Sequence, residues 1–268
     1  MCHAVFFFNA LKIAYLCFAK CIFFPSVMFL KTKAIILHCI KYSDKANIVH
    51  LISEERGRLA CIVYGASRKK SGSKMAFLQP MMLVDLEIEM LPDRELHQIK
   101  EARPYNIITS IQMNPVKNAL ALFLAEFLYR TLRDSQTDKM LFRFLQESVQ
   151  ILERSEQGVA NFHLVMMLHL TRFLGFFPNT ENLGLHFYFD MVNGVFTSTC
   201  PLHKHFLRPA ESAVLYQLMR INYTNMHMFR FSRSERVAIL EHMLAYYRIH
   251  LAEIGEIKSL PVLMELFD

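Results

Sequence analysis

The 268-residue chain contains no tryptophan and only 8 glycines, and its six cysteines, at positions 2, 17, 21, 39, 61 and 200, include no CxxC pair. So little glycine in a chain that is 53% apolar argues against a disordered or collagen-like protein. The cysteine spacing argues against a zinc ribbon or a disulfide scaffold and reads as reduced thiols of a cytoplasmic protein. Walker, GxSxG and HExxH motifs are missing as well, which removes the usual sequence basis for P-loop nucleotide hydrolysis, nucleophile-elbow hydrolases and zincin-type metalloproteases. Neither an internal repeat nor a low-complexity tract is present. What remains is a folded chain with 23 Phe and 16 Met, long enough for two modest domains. Its formal charge of +6 has a meaning that depends on where the charge sits.

Residues 1–27 stand apart. The stretch AVFFFNALKIAYLCFAKCIFFPSVMFL at 4–30 is apolar, yet Met1-Cys2-His3 supplies no fixed positive charge for a signal peptide, and Lys12 and Lys20 interrupt it. A lysine in the middle of a spanning helix costs about 2.5–3.5 kcal/mol on insertion scales, which makes an anchor marginal. The expectation is an apolar extension ahead of a natural start at Met28. A membrane-surface segment is the alternative.

From Lys31 to about Arg103 short β-prone runs alternate with turn signals. The runs lie at 34–40, within a first strand read over 31–42, and at 46–53, 57–65, 81–91 and 95–103. Five strands in some 75 residues predict an OB-type barrel over 28–105. Ser43-Asp44, Glu54-Glu55-Arg56-Gly57 and Pro92-Asp93 mark turns. Asp85, Glu87 and Glu89 alternate with Leu86 and Ile88, the pattern of a strand with one solvated face. They could in principle bind Mg²⁺, but the alternation already explains them.

Charge is localised on this barrel. Between Arg56 and Val84 there is no Asp or Glu, while Arg56, Arg58, Arg68, Lys69, Lys70 and Lys74 are cationic. The segment GASRKKSGSK at 65–74 joins the third and fourth strands, and Ser67, Ser71 and Ser73 add hydroxyls suited to phosphate. A solubilising surface loop is the bland reading. A basic loop on an OB-type barrel favours nucleic acid, with Tyr42, Tyr64 and Phe77 as aromatic candidates for stacking.

After Pro115 the period becomes helical, and residues 106–268 read as a helical domain. Helices are predicted at 116–135, 139–155 and 159–176, the last ended by Gly175 and Pro178. Asn193-Gly194 between β-prone flanks predicts a hairpin at 187–198. Helices resume near 209–220 and at 233–254, the second capped by Ser232 or Ser234 with Glu235 in its first turn. Met166, Met167, Phe173, Met243 and Tyr246 read as core, and His163, His169, His242 and His250 as structural or surface histidines. The fold class is therefore α+β: an OB-type barrel followed by a helical domain with a small hairpin insertion.

The stretch KTKAIILHCIKYSDKANIVHLISEERGRLACIVYGASRKKSGSKMAFLQP resembles the amino-terminal barrel of the RecO family, and LAYYRIHLAEIGEIKSLPVLMELF resembles its carboxy-terminal end. The order of parts matches too: the tight turn, the acidic segment plus glycine, the basic loop and Leu78-Gln79-Pro80. The resemblance implies a non-enzymatic mediator of DNA repair and recombination, cytoplasmic and nucleoid-associated. Such a protein binds single- and double-stranded DNA, anneals complementary strands and contacts the acidic C-terminal tail of single-strand-binding protein. With RecR it helps load RecA. A site for the acidic tail should pair an apolar pocket with cations of the helical domain, and Arg130, Arg133 and Arg172 are the candidates. Many members of the family hold a four-cysteine zinc site there. This chain offers only Cys200, with His203 and His205 nearby, at most three ligands where structural zinc takes four, so no cofactor is expected. The competing classes are a metal-dependent nucleic-acid-processing enzyme and a membrane-associated scaffold.

Overall fold

The computed structural model describes residues 28–65, 77–91, 94–106, 108–133, 137–181, 187–251 and 254–265. Five strands, β1 (Met28–Ser43), β2 (Ala46–Ser53), β3 (Gly57–Tyr64), β4 (Leu83–Met90) and β5 (Leu96–Pro104), close into a barrel in the order β1-β2-β3-β5-β4. Neighbours are antiparallel except β3 and β5, whose parallel pairing Ala60↔Leu96 to Ile62↔Gln98 seals the ring. Closure leaves no free sheet edge, which a small β unit otherwise has to protect.

The 16-residue β1 makes closure possible. Its first half pairs with β4, from Met28↔Met90 to Ile35↔Leu83, and its second half pairs with β2, from Ala34↔Ser53 to Ser43↔Ala46. Irregularities between Ile36 and His38 and between Lys41 and Ser43 bend the strand from one neighbour to the other. The turns after Ser43 and at Glu54–Gly57 form where the sequence signals them, and Pro92-Asp93 lies outside the described residues. Ser53 Oγ donates to the Gly57 carbonyl and accepts from Arg56 N–H, at 3.0 and 3.1 Å. Along β4, Asp85 is exposed while Leu86 and Ile88 are buried, and Glu87 and Glu89 are half-buried.

Helix α1 (Ser110–Met113) leads into α2 (Pro115–Thr131), whose first turn is fixed by proline at its start and by Asn114 Oδ1, which accepts from Val116 and Lys117 N–H. The sequence left α2 apolar nearly all round, and Leu120, Phe123, Leu124, Phe127 and Leu128 are accordingly buried at its centre. Asp138 caps α3 (Lys139–Arg154) through Met140 and Leu141 N–H. A 3₁₀ turn at Val159–Asn161 precedes α4 (Phe162–Phe173), which ends two residues before Gly175. A small sheet of β6 (Tyr188–Asp190), β7 (Val195–Thr197) and β8 (Phe206–Leu207) follows. Its hairpin turn is built on Asp190, whose carboxylate accepts from Val192 N–H, Asn193 N–H and the Asn193 side chain. Gly194 stands there at φ +67, and a β-carbon would lie 2.9 Å from the Tyr246 hydroxyl, so both backbone and space call for glycine.

Then come α5 (Pro209–Met219), α6 (Arg233–His250) and α7 (Leu260–Glu265). Ser232 and Glu235 form a reciprocal capping box at the start of α6. The expected core side chains Met166, Met167, Met243 and Tyr246 are buried. One continuous apolar cluster runs from Ile35, Leu51 and Val84 of the barrel through Phe123 and Phe127 of α2 to Leu240 and Tyr247 of α6. Barrel and helices therefore share a core. Among the described residues no helix is long and apolar enough to cross a membrane.

Candidate nucleic-acid interface

Arg56 and Arg58 bracket the start of β3, and the chain enters the basic segment after Tyr64 and Gly65 at its end. Six residues of strand separate Arg58 from Tyr64, about 20 Å. Arg68, Lys69, Lys70 and Lys74 lie outside the described residues, so only the two ends of their segment are placed.

Arg56 is exposed in the β2–β3 turn. Arg58 is half-buried: its guanidinium sits over the Tyr129 ring at 4.4 Å and donates to the Tyr129 carbonyl. His38 of β1 and His50 of β2 flank the same ring, at 5.3 and 5.0 Å between centroids. Burial lowers the pKa of both histidines. Arg130 pushes His38 further down against the pull of Glu126, and Arg58 and His38 push His50 down. Neutral at pH 7, they pack on Tyr129 as aromatic rings. The sequence placed Arg58 with the basic loop; the structure gives it a partner on α2, 71 residues away. A second link joins the same turn to α3, where Lys139 Nζ lies 2.9 Å from Glu55 Oε1.

The other end of β3 holds a different set of groups. Gly65 N–H donates to the Lys45 carbonyl at 2.9 Å, which ties the mouth of the basic segment to the β1–β2 turn. Lys41 and Lys45 are exposed there, Lys41 Nζ 3.3 Å from Asp44. Tyr42 is 66% exposed and Tyr64 56%. Phe77, the third aromatic candidate, is instead partly buried against the shared core. Lys41 and Lys45 escaped the sequence reading because their run contains Asp44, so no charge cluster stands out.

Lys31, Lys33 and Arg103 line a groove of ≈ 460 Å³ on the barrel, together with Glu54, Glu55, Asp85, Glu87 and Glu101. Five carboxylates against three cations make it a poor seat for phosphate. Lys31 lies 3.8 Å from Glu87, and Lys100 pairs with Glu89 at 2.7 Å, so two of the β4 carboxylates are matched to cations.

In the helical region Arg130 pairs with Glu126 at 3.2 Å, and Arg133 is exposed in the turn after α2. Arg172 of α4 lies 4.2 Å over the Phe177 ring. An apolar cleft between α4, α5, α6 and the hairpin is lined by Leu168, Thr171, Pro178, Val214, Met243 and Tyr246 among others. The charged side chain of its lining is Glu211, beside His242, and none of the three arginines lines it; Arg172 is exposed one residue past Thr171. His203 Nε2 lies 3.1 Å from Asp190 Oδ1, and Cys200 is exposed. Among the described residues no three His, Cys, Asp or Glu side chains are grouped as metal ligands.

Two family models match in sequence order, Recombination protein O N terminal over residues 28–108 and Recombination protein O C terminal over residues 112–261. The chain is 44% identical over 242 residues to a DNA repair protein RecO of Bacteroides fragilis, a match that covers 90% of this chain and all of that protein. It is 41% identical over 241 residues to that of Azobacteroides pseudotrichonymphae and 36% identical over 245 residues to that of Porphyromonas gingivalis, with the same coverage. Matched across both its barrel and its helices, the chain belongs to the RecO family.

Proposed function

We propose that this chain is a DNA repair and recombination mediator with no catalytic centre of its own. It binds single- and double-stranded DNA, anneals complementary strands and, with RecR, helps load RecA on strands coated with single-strand-binding protein. The observation that carries the reading is a closed five-stranded barrel whose β3–β4 connection bears four cations and no acid. Arg68, Lys69, Lys70 and Lys74 hold the phosphates, with Arg56 extending the field along β3 and Arg58 acting first as the strut to Tyr129. For the protein partner, the acidic and apolar tail of single-strand-binding protein suits the helical region around Arg172, whose guanidinium lies over the Phe177 ring. Arg130 is engaged by Glu126, and Arg133 stands further along the chain from α2.

The test is a salt titration of binding to a labelled single-stranded oligonucleotide. Each phosphate contact on a single strand contributes about 0.7 to the slope of log K against log salt. Replacing Arg68, Lys69, Lys70 and Lys74 together by alanine should therefore flatten the slope by roughly 2–3 and weaken binding severely, with the circular dichroism spectrum unchanged. An unchanged slope in the folded variant would remove the loop from the interface.

A further inference from the structure

The outer face of β1, β2 and β3 is built in cross-strand rows. His38, His50 and Ala60 form one row, Ile40, Ile48 and Ile62 the next, and Ser43, Ala46 and Tyr64 the last. Tyr129 of α2 lies on both histidine rings of the first row, although His38 keeps an exposed edge. In the next two rows Ile62 and Ala46 are buried. Ile40 is 41% exposed, and Tyr64, four residues along β3 from Ala60 and so about 13 Å away, is more than half exposed. Tyr42 lies beside Ser43 at the irregularity in β1 and is more exposed still. Among the described residues neither tyrosine ring stacks on another aromatic ring. Two large flat side chains thus stand open at one end of the barrel, next to Lys41 and Lys45, where Gly65 leads into the cationic segment.

We propose that Tyr42 and Tyr64 form a stacking platform for the unpaired bases of single-stranded DNA, and that this platform sets the preference for single over double strands. The occupant follows from the pairing of chemistries. An aromatic face gains from a base only when that base is out of a duplex, whereas lysine and arginine attract the phosphates of either form. Beside the rings stand Lys45 and the Lys41–Asp44 pair, a small net positive charge that suits phosphate better than an apolar protein patch. The proposal rests on the DNA-binding reading above and adds what the cations cannot supply, a means of telling a single strand from a duplex.

The variants are Tyr42→Ala, Tyr64→Ala, the pair, and the pair of Tyr→Phe changes, titrated on a single strand, a duplex of the same sequence and a strand with abasic sites in place of bases. Each alanine should lower single-strand affinity by roughly 5- to 150-fold, the range known for base–aromatic stacking. Duplex and abasic affinity should stay within about twofold and the salt slope should not move, because no charge changes. The phenylalanine pair should bind like the native chain. Equal loss on all three ligands, or no loss on the single strand, overturns the platform. So does sedimentation showing that the native chain self-associates and the double alanine variant does not, while DNA affinity is unchanged; the rings would then meet a second copy. If the native chain binds none of the three ligands, the DNA-binding reading itself fails.

Discussion

The barrel and the helical region use different side chains for the same shared core. Ile35, Ile36, Val49, Leu51, Val63, Val84 and Ile88 fill the barrel with aliphatic groups, many of them β-branched. Phe123, Phe127, Phe142, Phe162 and Tyr247 fill the helical half, where Phe123 and Phe127 stack at 6.1 Å and Phe127 meets Tyr247 edge-on at 4.9 Å. Polar groups divide the other way. The barrel sends its charges outward, while the helical region draws several inside to hold segments together. Lys117 Nζ donates to Ser110 Oγ and to the Glu153 carbonyl, at 2.7 and 2.8 Å. The Glu153 carboxylate accepts from Thr109, Ser110 and Ile111 N–H. The lesson is a division of labour: the barrel is stabilised by its own registers and can spend its surface on a ligand, and the helices are joined by side chains whose polarity is used up internally.

The strongest way to break that contrast is to remove one of its aromatic members. Phe127→Ala should cost about 3–5 kcal/mol in urea unfolding, while Ile35→Val in the barrel should cost only about 0.5–1.5 kcal/mol. Comparable losses would mean that the two halves are packed alike.

Glu126 tests the polar side of the contrast. Burial pushes its carboxyl up, but the Ser259 hydroxyl, the Lys258 and Ser259 amides and Arg130 together outweigh this and hold its pKa below the usual value. A depressed carboxyl contributes stability that is present above its unfolded pKa, about 4.3, and lost as pH falls through the lower folded value. Glu126→Gln should cost about 2 kcal/mol at neutral pH, and the gap in Tm from the native chain should close as the pH is lowered below about 4. A gap that does not change with pH would show that the carboxylate's charge is irrelevant to the strap on the 254–265 segment.

The smallest effect sharpens the boundary between the halves. Arg58→Ala removes the cation from the Tyr129 ring and should cost about 1–2 kcal/mol, with the salt slope of DNA binding changed by less than about 1. Loss of affinity with no loss of stability would return Arg58 to the interface with DNA.

Much of the fold was legible because its signals are local. Alternation located all five strands, and Ser232 and Asn193-Gly194 announced a helix start and a hairpin from their own short-range chemistry. The structure extends β1 back to Met28, since Met28–Lys33 pairs with β4 more than fifty residues later, a partner invisible in the local pattern. α1 and α7 escaped notice for the same reason: each is barely a turn or two long, and distant carboxylates, Glu153 and Glu126, hold the residues that lead into them. The third strand of the small sheet, β8, is two residues long and has no periodicity to read. At the candidate interface composition revealed the cations, but it could not reveal that Arg58 is claimed by Tyr129 or that Lys45 sits against Gly65.

The long first strand has a consequence for how the protein is made. A ribosome releases β1, β2 and β3 as an open meander, with the Met28–Lys33 half of β1 unpaired until β4 has emerged, and the ring stays open until β5 lies beside β3. Even then the row His38, His50 and Ala60 waits for Tyr129. The nascent chain therefore exposes sticky strand edges for some 75 residues of translation, several seconds at about 5–20 residues per second, before its first half can finish folding. In that interval its strand edges are open to pairing with other chains, as those of the finished, edgeless barrel are not.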